Sequence, residues 1–353
     1  MKKRFLLIYS AALILAVFIT YRTTHHDYYN AVTVTGATPT AIAETVPKGI
    51  ELEVGGRVKK TYRFSTSSLR AFATTRIRTK EISPKGDFLG TYSYVGIPVF
   101  NILEGVAPSF PKDSPRNFPT DFLVTFVSIT GEKALFSYGE LLMADDDSPV
   151  TLAFHRKELL PSKEPENYTL NRFKGPLAGL RLIAPRDGDT ARYLDNVVSV
   201  TLSVPEAGEG LVPPRKKNHD CTSAAITIID GAKTYLASDE GVERSPKRSW
   251  VKVGHGQGYK GTSAVEGFSL KSFLQKNLPD LSRDDFFLFV SCDGYRCLFS
   301  GREIFATSSG HAMVLIDVMN GKNPSGGLML ACTDDYFIDR SIWGVSHLLI
   351  VRP

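Results

Sequence analysis

Two parts of the chain carry residue types that could do chemistry. Gly256-Gln257-Gly258-Tyr259-Lys260-Gly261 satisfies GxGxxG directly after the strand-like Trp250 to Val253. A dinucleotide site would need a helix opening at those glycines, so that its free N–H groups meet the pyrophosphate, and an acidic residue about 20 positions on. A ligand-facing loop carrying His255, Gly256, Gly258 and Tyr259 is a second reading, and a plain flexible loop is a third. Cys292 and Cys297 flank Asp293-Gly294-Tyr295-Arg296. A four-residue hairpin loop would make the two cysteines cross-strand partners within disulfide reach. Apolar packing is the alternative, because Ile129 and Ala134 hold the equivalent places in a related segment upstream. The histidines at 25, 26, 155, 219, 255, 311 and 347 show no ligand spacing, and no CxxC pair occurs. No metal site and no catalytic residue is therefore assigned.

The elements that position these residues are written twice. Phe126-Val127-Ser128-Ile129-Thr130-Gly131-Glu132-Lys133-Ala134-Leu135-Phe136-Ser137 lies over Phe289-Val290-Ser291-Cys292-Asp293-Gly294-Tyr295-Arg296-Cys297-Leu298-Phe299-Ser300, with seven of twelve positions identical. Glu140 then falls over Glu303, and Gly96 over Gly267. Arg192 recurs as Arg340, which suits either a structural salt bridge or an anion site. Blocks repeating in one order indicate a tandem duplication.

Each copy reads as short strands with small helices. Thr130-Gly131 and Asp293-Gly294 read as hairpin turns. Gly96 and Gly267 read as turn formers, and Ser137 and Ser300, three residues before a glutamate, as capping boxes. Helices fit Val99–Glu104 and Leu270–Lys276, where apolar residues recur at i, i+3 and i+4. The expected class is α+β, strand-rich.

The first residues are of another kind. Lys2-Lys3-Arg4 precedes an uncharged run from Phe5 to Tyr21, the grammar of an export signal, and no small-x-small cleavage site follows. The expected organisation is a signal anchor over 1–26, a tether over 27–48, a first domain over 49–205, a linker over 206–219 and a second domain over 220–353. The body then lies outside the cytoplasm, periplasmic or extracellular, held to the membrane through residues 5–21.

Composition limits what the body can be. Of the 353 residues, 42% are hydrophobic and 22% charged, which is ordinary for a globular protein and excludes a disordered or multi-span chain. The net charge of +5 has no directed basic run behind it, so no nucleic-acid partner is expected.

The order of blocks resembles a family. Gly96-Ile97-Pro98-Val99 and Gly267-Phe268-Ser269-Leu270, then Asp293 to Ile304, then Gly-Leu-x-Leu at Gly179 and Gly327, then Arg-x-x-x-x-Val at Arg192 and Arg340, are similar to the molybdopterin-binding domain of the sulfite oxidase family. The resemblance covers nearly all of 50–353. It implies two tandem sulfite-oxidase-fold domains behind the anchor, and oxygen-atom transfer to or from small oxoanions or sulfoxides. It also implies a cysteine thiolate on molybdenum, but the corresponding stretches, Arg78 to Leu89 and Val251 to Lys260, contain no cysteine. Molybdopterin thus enters only through the resemblance, and no cofactor is expected. The expected function is a membrane-tethered binding or scaffold module, its protein or small-molecule ligand unnamed, that has lost the metal thiolate. The alternative is a molybdenum-cofactor oxidoreductase.

Overall fold

Alternation of apolar and polar residues sets the architecture. Val197–Ser203 turns Val200 and Leu202 inward and Thr201 outward, the period of a half-buried strand. The computed structural model describes residues 47–110, 119–143, 147–159, 174–205, 223 and 225–352. Among them, strands make four small sheets in a propeller-like arrangement.

The first sheet is built from β1 (Glu51–Gly56), β2 (Tyr62–Ser65), β5 (Leu123–Ser128), β6 (Lys133–Ser137) and β9 (Val197–Ser203), in the order β2-β1-β9-β5-β6. Its partner in the second half uses β10 (Thr227–Asp230), β11 (Lys233–Leu236), β14 (Phe286–Ser291), β15 (Arg296–Ser300) and β18 (Val345–Val351), in the order β11-β10-β18-β14-β15. In both sheets the first strand of the half pairs in parallel with its last strand. A four-stranded sheet completes each half. One runs β3 (Thr75–Ile82), β4 (Phe88–Pro98), β7 (Thr151–Glu158), β8 (Lys174–Ile183), and the other β12 (Arg244–Gly254), β13 (Gly258–Ser269), β16 (Met313–Met319), β17 (Met329–Cys332). Every strand of the first half thus has a counterpart nine strands later, in the same neighbourhood.

Strands fill half of the structure, and the helices are short: α1 (Thr66–Leu69), α2 (Val99–Glu104), α3 (Tyr138–Leu142), α4 (Leu270–Asn277) and α5 (Gly301–Phe305). The expected α+β class is therefore corrected to a strand-dominated one. Apolar residues at helical spacing do produce helices at Val99 and Leu270, but at six and eight residues they are too short to form a layer of their own. The two-domain sulfite-oxidase arrangement is corrected as well. Residues 45–353 form one compact unit, and one apolar cluster joins Leu123 and Leu135 of the first half to Phe286, Leu288 and Leu298 of the second. The signal anchor, nearly all of the tether and the 206–219 linker lie outside the described residues. No helix among the described residues is long and apolar enough to cross a membrane.

Two kinds of glycine fix the geometry. Gly131 and Gly294 have φ of +84° and +80° and close three-residue hairpins, in which Ser128 N–H donates to Glu132 O and Ser291 N–H to Tyr295 O. Gly96 and Gly267, by contrast, sit within β4 and β13 at register irregularities and not in turns. A Cβ there would meet Leu152 O at 2.4 Å or Leu315 O at 2.1 Å, so the neighbouring strand requires glycine.

Candidate functional site: a paired arginine–carboxylate centre

The hairpin β5–β6 delivers Phe136 and Ser137 to the start of α3, and β14–β15 delivers Phe299 and Ser300 to the start of α5. Each serine caps its helix: Ser137 Oγ accepts from Glu140 N–H at 3.1 Å and Ser300 Oγ from Glu303 N–H at 3.0 Å. The glutamates then meet the recurring arginines. Arg192 grips Asp187 with two nitrogens, at 2.8 and 2.6 Å, and donates Nη1 to Glu140. Arg340 grips Asp335 with two nitrogens at 2.8 Å and donates Nη1 to Glu303. Each guanidinium also stands over an aromatic ring, 4.0 Å from the Phe136 centroid and 5.3 Å from that of Phe299.

The two centres are tied to each other. Ser137 Oγ donates to Glu303 Oε2 at 3.0 Å, and Ser300 Oγ donates to Glu140 Oε2. Among the described residues only α5 closes a full capping box: Glu303 Oε2 accepts from Ser300 N–H as well as from Ser137 Oγ, whereas Glu140 Oε2 accepts from Ser300 Oγ. Gly139 makes room for this: a Cβ there would lie 2.2 Å from Arg340 Cδ. A cavity of about 30 Å³ lies between the centres, room for one or two waters.

Four carboxyl groups face two guanidiniums, so the centre holds more acid than base. Burial and then Glu303 push the Glu140 carboxyl well above the ordinary carboxylate range, against the pull of Arg192. Burial likewise pushes Asp335 up to about 6, with Arg340 opposing. Both arginines are held above their ordinary value: burial disfavours their charge, but Glu140 and Asp187, or Asp335 and Glu303, more than offset it. The arrangement is a sequestered ion network, not an open anion site. Asp187 and Asp335 were missed in the sequence, although each stands five residues before its arginine.

The other sequence candidates lie elsewhere. His255, Gly256 and Gln257 form the turn of the β12–β13 hairpin, closed by Gln257 N–H to Gly254 O at 2.9 Å. A strand follows the glycines in place of a helix, so the dinucleotide reading is overturned. His255 packs edge-on against Phe337, and Tyr259 is exposed, with its hydroxyl 3.0 Å from Thr262 Oγ1. The glycines, His255 and Tyr259 share one exposed hairpin tip.

The disulfide between Cys292 and Cys297 is also corrected. Cys292 is disulfide-bonded, but Cys297 is a buried free thiol. The reason is register: the loop has three residues, Cys297 faces Phe289 across the ladder, and Cys292 falls inside the turn.

The remaining free thiol among the described residues, Cys332, is buried, and burial raises its pKa, which opposes thiolate formation. The stretches that match the family's thiolate loop form the β3–β4 hairpin and the tip of β12–β13, without cysteine. These residues do not fit a thiolate-held molybdenum. Among the described residues, no group of three His, Cys, Asp or Glu side chains is placed to hold a metal ion.

No family model matches the chain, and no curated protein matches it. Among solved structures it is similar to the sulfane dehydrogenase SoxCD from Paracoccus pantotrophus, at 13% identity and a TM-score of 0.32, covering 85% of this chain and 78% of that one.

Proposed function

We propose that the chain is a membrane-tethered, extracytoplasmic binding or scaffold module and not an oxygen-atom-transfer enzyme. One observation carries this reading: the arginines that recur in both halves are committed to carboxylates of the chain itself, deep in the junction. Groups held this way are suited to fixing a rigid body and not to meeting a substrate. The Cys332 thiol offers no alternative, since a buried thiol of raised pKa is a poor nucleophile and a poor soft ligand. The location rests on Lys2-Lys3-Arg4 and the apolar run after it.

Metal analysis tests the proposal. Full-length protein from a host that makes the molybdenum cofactor is expected to carry far less than one molybdenum per chain. A ratio near one would overturn the binding reading in favour of the oxidoreductase.

A further inference from the structure

The two halves meet at two related junctions, and they are not built alike. At one, Thr120 stitches the halves together: Leu298 N–H donates to Thr120 O at 2.9 Å, and Thr120 Oγ1 donates to Arg296 O at 2.6 Å. The repeat places Arg283 where Thr120 stands, Lys133 where Arg296 stands and Arg302 where Gly139 stands. At that second junction no such stitch forms among the described residues, and a cavity of about 190 Å³ opens between β6 and the start of β14. Such a volume holds about six waters, or a small ion with part of its shell.

Its lining is predominantly cationic. Lys133, Arg192, Arg283 and Arg302 face it, against the single carboxylate of Asp284. Arg192 is committed to the buried network. Arg302 sits deeper, held by Nε to Asp284 at 2.7 Å and Nη1 to Asp189 at 3.0 Å, with Nη2 making no hydrogen bond among the described residues. Lys133 and Arg283 stand exposed at the mouth, and among the described residues neither side chain has an ion-pair or hydrogen-bond partner. Leu135 and Phe286 supply apolar wall. Cations over low-dielectric walls concentrate the field inside a cleft and favour a multivalent anion. A guanidinium with a free N–H adds a directed donor.

We propose that this second junction is a binding cleft for a small multivalent oxoanion, as a free ion or as the phosphate or sulfate ester of a larger molecule. This names a ligand class for the binding reading and rests on it. The two fail separately, because metal content decides the one and anion titration the other.

The test is calorimetric titration of the full-length protein with inorganic phosphate, sulfate and glycerol 3-phosphate, against sodium chloride at matched ionic strength. Saturable binding with a Kd below about 1 mM is expected for at least one of them. Tighter binding of the glycerol ester than of both free ions would identify an ester as the ligand, and the reverse a free ion. The exposed pair K133E/R283E should weaken binding at least tenfold, K133Q/R283Q less, and K80E, a reversed charge elsewhere on the surface, not at all. Absence of saturable binding, or equal loss in K80E, overturns the proposal.

Discussion

Ser137 Oγ reaches Glu303 Oε2 at 3.0 Å across 166 residues of chain while capping its own helix. One hydroxyl thus serves local structure and the junction together. Ser300 does the same toward Glu140, and the two exchanges make the halves a single object.

Arg340→Met should therefore cost about 3–5 kcal/mol, because it strands Asp335 and Glu303 buried and without their cation. Urea denaturation followed by circular dichroism measures it. Arg340→Lys should recover little, since an ammonium cannot reproduce the fork. A loss below about 1 kcal/mol in the Met variant would place the pair among weak surface bridges instead.

Gly139→Ala should also destabilise, by about 1–3 kcal/mol, because the added carbon meets Arg340 Cδ at 2.2 Å. Gly55→Ala is the comparison, with nothing within 4 Å of the new Cβ. Equal melting temperatures for the two variants would contradict the close packing.

Stability should fall as pH rises through about 6. Asp335 has an ordinary value of 3.8 and a folded value of about 6, so over that interval the folded state holds more protons than the unfolded one. Its contribution is full below pH 4 and is lost as pH climbs past 6. Glu140 acts in the same direction. Asp335→Asn, which fixes the neutral form, should flatten this part of the profile in urea titrations at pH 4, 5, 6 and 7. A wild-type midpoint that climbs over pH 4–6, with no flattening in the variant, would show both carboxyls already ionised.

Peptide mapping without reductant should find Cys292 oxidised and Cys297 and Cys332 reduced. Both free thiols should resist alkylation in the folded protein and react in urea, since burial shields them. Recovery of a peptide joining Cys292 to Cys297 would refute the observed register.

A reporter active only in the cytoplasm, fused after Pro353, should stay silent, in keeping with the Lys2-Lys3-Arg4 flank. Activity there would remove the membrane-tethered, extracytoplasmic proposal.

The sequence was most informative where a rule is local. Thr130-Gly131 and Asp293-Gly294 mark turns because left-handed φ selects glycine, and Ser137 and Ser300 mark helix starts because a cap acts within three residues. What failed depended on count or on tertiary approach. One residue fewer in the hairpin loop separated Cys292 from Cys297. Gly96 and Gly267 serve close strands, which only the neighbour's position reveals. The exchange of Ser137 and Ser300 between halves has no local signature at all, and neither does the cleft beside Lys133 and Arg283.

The parallel pairing of β10 with β18 has a consequence for how the protein is made. Thr227 lies beside His347, about 120 residues later, and β18 stands in the middle of its sheet, between β10 and β14. β14 and β15 can form their hairpin early, but β10 waits unpaired on one side until β18 has been synthesised. The first half has the same delay between β1 and β9. Such long closures slow folding and leave open edges exposed on the nascent chain. A ribosome stalled before Val345 would release a second half without its central strand, a product for proteases and not a smaller working module.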